Sequence, residues 1–474
     1  MDHSQTQSDA PQTPVAARDF LGHPRGLAVL FATETWERFS YFGNAALVVL
    51  YMVKYLLEPG RVETVIGFGA VKAALELLFG RLEPQPLASQ LFGFYTGLAY
   101  FTPILGGLIA DRLLGQRRTV VIGGVLMATG HFLMAFETLF LLALLMLILG
   151  IGAFKPNIST QVGALYAPDD HRRDRAYSIF YVGINIGAFL APLVCGTLAA
   201  AFGWHYGFAA AGVGMLISLG IYAYGWQVLP ADEAPRAKAV RGEQMPLAGG
   251  QRRAILALIG VCALVTLFWA AYDQQGNTLL LWAEDFTDRS IDLYFWQGEI
   301  PSPWFLALNP LMIFVLAPLI VRLWAQQAER GIEPYTISKM AFGCLCVALA
   351  NVLMAAAAGV ADGGKASPVW LVGYFALATL GELHLAPVGL ALMSKSAPAR
   401  LRSMMMGVWF ATTLPADILA GYLGGFWSGM AKTDFFLMIA MIAALAGAVI
   451  GALSPVLRWL LEGSPISASM DRSA

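Results

Sequence analysis

Long apolar segments separated by short polar ones occupy almost the whole chain. A helix needs about 20 apolar residues to cross the hydrocarbon core of a bilayer. Twelve segments reach or approach this length: 27–57, 88–110, 119–138, 139–165, 176–201, 204–229, 252–281, 304–326, 337–360, 368–393, 403–428 and 433–460. The pattern predicts an all-α membrane protein with twelve transmembrane helices.

Composition supports this prediction and excludes several classes of protein. The 474 residues are 58% hydrophobic and only 13% charged, whereas soluble domains carry about 25% charged residues. The net charge of −1 gives no indication of a nucleic-acid partner. The four cysteines lie in apolar segments and are expected to be buried thiols rather than disulfides or metal ligands: Cys195, Cys262, Cys344 and Cys346. The first twenty residues are polar, so no cleavable signal peptide is expected.

Basic residues are distributed unevenly between the two sides. Of the 30 Lys and Arg residues, 21 fall in the termini and the even-numbered loops and 7 in the odd-numbered loops. The remaining two, Arg38 and Lys155, lie inside predicted spans. Because cytoplasmic loops are enriched in Lys and Arg, both termini are predicted to be cytoplasmic.

A polar segment containing Pro and Gly, residues 230–251, divides the spans into two sets of six. We therefore predict a cytoplasmic tail (1–26), an N-terminal bundle (27–229), a linker, a C-terminal bundle (252–461) and a second tail (462–474). This is the arrangement of the major facilitator fold. Residues 58–87 have apolar residues at helical spacing and are expected to form an interfacial helix, with a packed lid as the alternative.

The loop after the second span carries the sequence GGLIADRLLGQRRT. Its spacing resembles the gating loop of the major facilitator superfamily, in which an acid and arginines pair across the cytoplasmic face. Asp111 and Arg112 are accordingly predicted to latch one conformation. The alternative is an arginine-rich positive-inside loop without a gating role.

Three charges stand within five residues of the first span. Glu34 and Arg38 are four residues apart and share one helix face, and Glu37 lies beside them. A charge at this depth is costly unless it is paired or faces water. The cluster is therefore predicted to be a proton relay, with a fixed ion pair between helices as the alternative.

Other charges reach a similar depth. At 1.5 Å per residue, Lys155 in the fourth span and Glu382 in the tenth are expected to meet Arg38 near the lower half of one cavity. Asp273 is expected nearer the outer end of the seventh span. Within the spans the carboxylates outnumber the cations by two, or by one if Asp273 is solvated at the outer surface. The carboxylates counted are Glu34, Glu37, Glu382 and Asp273, and the cations are Arg38 and Lys155. Engagement of Lys155 could then decide whether a carboxylate holds a proton.

Several motifs resemble those of the proton-coupled oligopeptide transporter family, a branch of the major facilitator superfamily. They are ETWERFSYFG, FKPN, FYVGINIGAF, FWAAYDQQGN, NPLMIFVLAP, GELHLAPVGL and MGVWF, spread over roughly residues 25–460. The resemblance implies proton coupling at Glu34, Glu37, Arg38 and Lys155. It implies that Lys155 holds a peptide carboxylate and that Glu382 attracts the amino terminus. The further substrate-binding residues expected are Tyr41, Tyr95, Tyr181, Asn185, Gln274, Asn309 and Trp409, with Asp273 added to the gate.

Tyr181 and Asn185 could equally be polar contacts that hold helices together. The chain also departs from the family pattern. Phe42 replaces a tyrosine, Ala386 replaces a serine, and Ala45 occupies a position where many peptide transporters carry a carboxylate-binding arginine. Carboxylate recognition is then expected to rest on Lys155 and Arg38. The extra helices and extracellular domain of some relatives are missing, which favours a bacterial inner-membrane protein.

The resulting prediction is a monomeric symporter of di- and tripeptides, driven by protons and without other cofactors. The alternative cargo is another carboxylate or anion, such as a modified amino acid or nitrate. A membrane enzyme is not expected, because no metal-ligand or nucleophile arrangement appears within the spans. A passive channel or receptor is a further alternative.

Overall fold

The computed structural model describes residues 18–167, 170–232, 249–293, 296–361, 363–397 and 401–462. In this part of the chain eleven helical segments are long and apolar enough to cross a membrane. A twelfth, the shorter helix Gln116–Leu133, begins with two arginines and takes the place of the third predicted span. The spans are Arg25–Leu56, Pro84–Leu114, Gln116–Leu133, Glu137–Ala164, Arg172–Phe202, Trp204–Tyr224, Arg252–Asp285, Ser302–Glu329, Thr336–Ala361, Val369–Ser396, Met404–Gly424 and Lys432–Leu457.

The spans pack as two bundles of six. In the N-terminal bundle the first span packs on the fifth and sixth, and the third packs on the fourth. In the C-terminal bundle the ninth span packs on the tenth and twelfth, and the seventh on the twelfth. All four cysteines are free and buried within the bundles, as predicted. The chain is thus an all-α membrane protein of the major facilitator type.

Two short antiparallel hairpins lie outside the spans. Strand β1 (Arg18–Phe20) pairs with β2 (His23–Pro24), and β3 (Ser290–Leu293) pairs with β4 (Trp296–Glu299). The hydropathy pattern did not predict either of them. Most of the predicted linker, and most of both predicted tails, lie outside the described residues.

The start of the linker is bound to the N-terminal bundle. The Arg117 guanidinium donates to the carbonyl oxygens of Leu229 and Pro230, and its backbone N–H donates to Asp232 at 2.9 Å. The guanidinium also lies 5.2 Å from the centre of the Trp226 ring. Arg117 therefore joins the loop after the second span to the start of the linker.

The two bundles touch at the face opposite the chain ends. Here Lys54 Nζ lies 2.5 Å from Asp285 Oδ1, linking the first and seventh spans. Ser89 Oγ donates to Asn277 Oδ1 at 2.8 Å, linking the second and seventh spans. Trp304 Nε1 donates to the Leu193 carbonyl at 3.1 Å, linking the eighth and fifth. These contacts close the space between the bundles at this end.

The second and eleventh spans approach each other backbone to backbone at the same end. A Cβ added at Gly93 would lie 2.3 Å from the Asp417 carbonyl oxygen, and one added at Gly421 would lie 2.7 Å from the Ser89 carbonyl oxygen. Neither position has room for a methyl group. We call this contact between Ser89–Gly97 and Leu414–Gly421 the seam.

The first long loop forms a helix, Phe68–Phe79, as predicted. Its first residue, Phe68, is buried, whereas Leu77 and Leu78 near its end are 87% and 69% exposed. At its end the Phe79 ring lies 6.3 Å from Phe94 of the second span and 6.0 Å from Tyr422 of the eleventh. The helix covers the end of the seam, as in the packed-lid alternative, and presents leucines outward. Its position at a membrane interface stays a prediction.

We expect Gly93→Ala to destabilise the contact between the bundles. The added methyl would overlap the Asp417 backbone, and overpacking of this kind costs about 1–3 kcal/mol. The measurement is the thermal unfolding temperature in detergent. Gly107→Ala is the matched control, because it lies in the same span and its Cβ would meet nothing within 4 Å. Equal unfolding temperatures for the two variants would contradict the tight seam.

Candidate substrate and proton site

The charge cluster of the first span is a fully buried ion group. The Arg38 guanidinium donates two hydrogen bonds to the Glu37 carboxylate, one from Nε to Oε2 and one from Nη2 to Oε1 at 2.6 Å. Arg38 Nε also lies 3.3 Å from Glu34 Oε1. The second oxygen of Glu34 is buried without a hydrogen-bond partner. One carboxylate is therefore held as an ion pair, and the other keeps an open acceptor in the protein interior.

Lys155 lies beside this cluster behind an aromatic contact. Its Nζ is 3.8 Å from the centre of the Tyr100 ring, and Tyr100 is hydrogen-bonded to Tyr41. The Arg38 guanidinium lies 5.1 Å from the Tyr41 ring. Within the described residues no carboxylate comes within 4.0 Å of Lys155. In this structure Arg38 forms its ion pair with Glu37. The predicted exchange of partners between this cluster and Lys155 is not seen in this state.

A second carboxylate centre lies in the C-terminal bundle. Tyr272 donates its hydroxyl to Glu382 Oε2 at 2.5 Å, and Asn309 Nδ2 lies 3.0 Å from the same oxygen. Asn309 Nδ2 also lies 3.0 Å from the Thr379 hydroxyl. These partners are neutral donors, so they orient Glu382 without cancelling its charge. The arrangement suits the binding of a cationic group, and it brings Asn309 and Glu382 together as predicted.

A cavity of about 180 Å³ lies between the bundles. Its walls come from spans of both halves, including Tyr41 and Tyr100 on one side and Tyr272 and Asn309 on the other. Tyr181 of the fifth span lies near enough to Glu382 to interact with it electrostatically and is 47% exposed, but neither residue is part of the cavity wall. The seam closes the end of this cavity that lies opposite the chain ends.

Asp273 lies in the wall of this cavity and not at a solvated outer surface. The seventh span breaks at Asp273–Gly276 into a 3-10 turn, which places the Asp273 carboxyl against that of Asp417. The two carboxyl groups are hydrogen-bonded to each other. The alternative in which Asp273 is solvated outside is therefore wrong for this structure.

Gln274 takes a structural position instead of facing the cavity. Its Nε2 donates to the Ala420 carbonyl at 2.9 Å, and its Oε1 accepts from the Thr278 hydroxyl at 2.8 Å. These bonds tie the seventh span to the eleventh and use both ends of the amide. Gln274 does not line the cavity in this structure, because the 3-10 turn points Asp273 and Gln275 at it. Its predicted contact with cargo stays a prediction.

Tyr95 and Trp409 are also buried in this state. The Tyr95 hydroxyl accepts a hydrogen bond from Asn44 Nδ2 at 3.0 Å. Trp409 packs on the tenth span so closely that a Cβ at Gly389 would lie 2.1 Å from its ring. Neither residue lines the cavity here, and their predicted contacts with cargo stay predictions.

The remaining predicted residues are placed as follows. Asn185 Nδ2 donates to the Tyr181 carbonyl at 3.0 Å, within one turn of the fifth span. Asp111 and Arg112 are exposed in a π-helical turn, Ala110–Leu114, and neither makes an ion pair with a described residue. Their gating role stays a prediction.

Fold and site together define a membrane transporter with a central cavity between two bundles of six spans. The POT family model matches residues 117–241 and 244–438. The chain is 34% identical to the peptide transporter YePEPT of Yersinia enterocolitica, covering 89% of this chain and 90% of that protein. It is 32% identical to a di-/tripeptide transporter of Lactococcus lactis subsp. cremoris, covering 91% and 95%. The chain belongs to the POT family.

Solved structures agree. The fold matches a mutant of the peptide transporter POT in complex with alafosfalin, with a TM-score of 0.82 and 30% identity over 94% of this chain and 98% of that chain. It also matches a POT family transporter in complex with 5-aminolevulinic acid, with a TM-score of 0.80 and 26% identity over 93% and 98%.

Sequence reasoning missed several residues of this site. Asp417 is the carboxylate of the eleventh span, and the rule that singles out Glu34 also applies to it, because both are charges within an apolar segment. Tyr272 directly precedes Asp273 but carries no charge that would have marked it. Tyr100 and Gln275 likewise carry no charge that would have marked them.

We expect Arg38→Gln to be strongly destabilising. It would leave Glu34 and Glu37 buried without a counter-ion, which costs about 3–5 kcal/mol when one partner of a buried pair is removed. The check is thermal unfolding of the purified protein. Arg61→Gln is the control, since Arg61 pairs with Glu58 at the surface, where such a pair contributes about 1 kcal/mol or less. If both variants unfold alike, the buried pair does not stabilise the fold.

Proposed function

We propose that this protein is a proton-coupled symporter of di- and tripeptides that works by alternating access. The observation that carries the proposal is the placement of opposite charges on opposite bundles. Glu382 lies in the C-terminal bundle, and Lys155 in the N-terminal bundle. A zwitterionic peptide has the same two charges at its ends. The relatives named as peptide transporters support this cargo.

Recognition of the amino terminus rests on Glu382. Tyr272 and Asn309 hold one of its oxygens, and the charge is left for a cation. An ammonium group entering the cavity would supply that cation. Tyr181, which belongs to the other bundle, lies close to Glu382 and would be drawn toward it when a peptide fills the gap.

Recognition of the carboxylate rests on Lys155. It has no carboxylate partner within 4.0 Å among the described residues and rests on Tyr100. A peptide carboxylate that binds Lys155 while its amine binds Glu382 would connect the two bundles. Ligand binding would then favour closure around the cargo, which is the thermodynamic basis of alternating access.

Proton coupling is assigned to the cluster of the first span. Glu34 has a buried oxygen without a partner, so it can accept a proton without breaking the Arg38–Glu37 fork. Protonation of Glu34 would lower the negative charge near Lys155. Lys155 would then be freer to bind the cargo, which couples proton and peptide. The alternative anionic cargo is not favoured, because two carboxyl groups, those of Asp273 and Asp417, line the cavity, and a third, that of Glu382, contacts its lining residues Tyr272 and Asn309.

For location we propose a bacterial inner membrane with both termini in the cytoplasm. The excess of Lys and Arg in the termini and even-numbered loops supports this orientation. The end of the cavity that the seam closes would then face away from the cytoplasm. A monomer is proposed as the working unit, since the cavity is formed by the two bundles of one chain.

The direct test is uptake by proteoliposomes. With an inwardly directed proton gradient, we expect accumulation of dipeptides and tripeptides above the outside concentration. Collapse of the gradient with a protonophore should abolish this accumulation. Uptake that continues after the gradient is collapsed would indicate a passive channel, and failure with a broad peptide panel would exclude peptide symport.

Glu37→Gln tests the coupling cluster. The variant weakens the fork that holds Arg38, so Arg38 is expected to be drawn to Glu34 and the proton step is expected to fail. Gradient-driven uptake should be lost, while exchange of internal for external peptide persists in part. If both activities match those of the original protein, Glu37 is not a coupling residue.

Glu382→Gln tests amine recognition. The amide keeps the hydrogen bonds to Tyr272 and Asn309 but loses the charge. We expect peptide affinity to fall about 10- to 100-fold, equivalent to the loss of a hydrogen bond to a charged group. A peptide acetylated at its amino terminus should bind both forms equally weakly. The control is Glu329→Gln at the exposed end of the eighth span. An unchanged affinity in Glu382→Gln would place the amine elsewhere.

A further inference from the structure

The pair formed by Asp273 and Asp417 has chemistry that the proposed symport mechanism does not use. Their carboxyl groups are hydrogen-bonded to each other across the seventh and eleventh spans. Asp417 is only 5% exposed. An ionised carboxylate can only accept hydrogen bonds, so a bond between two carboxyl groups requires a proton on one of them. The two carboxyl groups are therefore placed so that they can share one proton.

The surroundings offer little cationic charge in place of that proton. The cavity wall that the first span presents to the pair carries no charge and consists of Tyr41, Phe42, Ala45 and Ala46. The titratable groups that face the pair from the spans packed around it are Tyr41, Tyr100, Lys155, Tyr272, Tyr374 and Glu382. The cation among these described residues is Lys155, and its ammonium group lies on the Tyr100 ring. Without the shared proton, two like charges would face each other at close range.

The pair is also mechanically connected to the second span. Thr96 of that span is hydrogen-bonded to Asp417. The Asp417 carbonyl is the atom that a Cβ at Gly93 would meet at 2.3 Å, and a Cβ at Gly97 would lie 3.3 Å from the Asp417 Cβ. Asp417 is thus the residue of the eleventh span around which the seam is packed. A displacement of the Asp417 turn, including its carbonyl and Cβ, would therefore change the contact between the bundles.

We propose that Asp417 is a positioning residue that shares one proton with Asp273 and thereby holds the seam closed. While the proton is present, the two carboxyl groups attract each other and the eleventh span stays seated on the second. When the proton leaves, repulsion between two carboxylates moves the Asp417 turn and loosens the seam. Closure of this end of the transporter is therefore controlled by a proton. An ion pair at the same place would instead hold this end closed at any pH.

This inference deepens the proposed function and rests on its alternating access. The carboxyl pair is distinct from the ion group of Glu34, Glu37 and Arg38, because it lies in the C-terminal bundle and contacts the seam. A proton taken up from the outer side would close that side and expose the cavity to the inner side. Its release inward would allow the outer side to open again. The direction matches a symporter driven by an inward proton gradient.

The test measures the seam directly and needs no peptide. Spin labels at Arg81→Cys and Ser428→Cys report on the two sides of the closed end, where both positions are exposed. The four native cysteines are buried, so labelling is selective. Distances are measured by pulsed electron resonance in the full-length protein in lipid nanodiscs, between about pH 5 and pH 8. We expect a short distance at low pH and a growing long-distance population as the pH rises.

Asp417→Asn and Asp417→Ala separate the shared proton from a merely structural role. The asparagine amide donates a hydrogen bond to Asp273 without a titrating proton. The short distance should then persist and the pH response should be lost. The alanine variant has no such donor and should shift toward the long distance at every pH. Asp434→Asn, at an exposed site on the twelfth span, should keep the full pH response.

The outcomes are decisive in both directions. A normal pH response in Asp417→Asn would overturn the proposal, as would identical behaviour of the asparagine and alanine variants. Asp273→Asn provides a second route to the same answer if an Asp417 variant does not fold, since it removes the other member of the pair and should likewise abolish the pH response. Failure of peptide uptake would refute the proposed cargo but would leave these distances unaffected, so the two ideas fail separately.

Discussion

The burial of the Arg38 guanidinium between two carboxylates is the constraint on which the rest of the N-terminal bundle depends. Removing these charges from water is costly, and the cost is offset only if the geometry of the fork is kept. The fifth span covers the cluster so closely that a Cβ at Gly187 would lie 2.9 Å from the Arg38 Cβ and 2.3 Å from the Thr35 carbonyl oxygen. The close packing of the fifth span on the first and the burial of these charges therefore both depend on one small residue, Gly187, where the two helices cross.

The two halves of the cavity are each electrostatically incomplete. In the C-terminal half, Glu382 is oriented by neutral donors and lacks a cation. In the N-terminal half, Lys155 is held against a ring and has no carboxylate partner within ion-pair distance among the described residues. A zwitterion completes both at once. Neither half needs to bind cargo tightly alone, which leaves most of the binding energy for joining the bundles.

The hydrophobic pattern alone predicted the number of spans, because a membrane helix must satisfy its backbone internally and expose apolar side chains. Charges within those spans pointed to Glu34, Arg38, Lys155 and Glu382 for the same reason. The position of Gln274 outside the cavity wall has its cause in helix geometry. A 3-10 turn has three residues per turn instead of 3.6, so the break at Asp273–Gly276 changes which side chains face inward. The bond between Asp273 and Asp417 joins segments far apart in sequence, and periodicity within one helix carries no information about it.

The glycine contacts between the second and eleventh spans have an electrical consequence. No methyl group fits between Gly93 and the Asp417 backbone, so a file of water molecules does not fit there either. Where water fills the cavity up to this layer, it conducts, and the membrane voltage would then fall mainly across the thin insulating layer. A charge that crosses only these few ångströms experiences nearly the whole potential, about 2.3 kcal/mol per elementary charge for each 100 mV. The close packing of a few small residues thus makes the closed end the electrically insulating layer of the transporter.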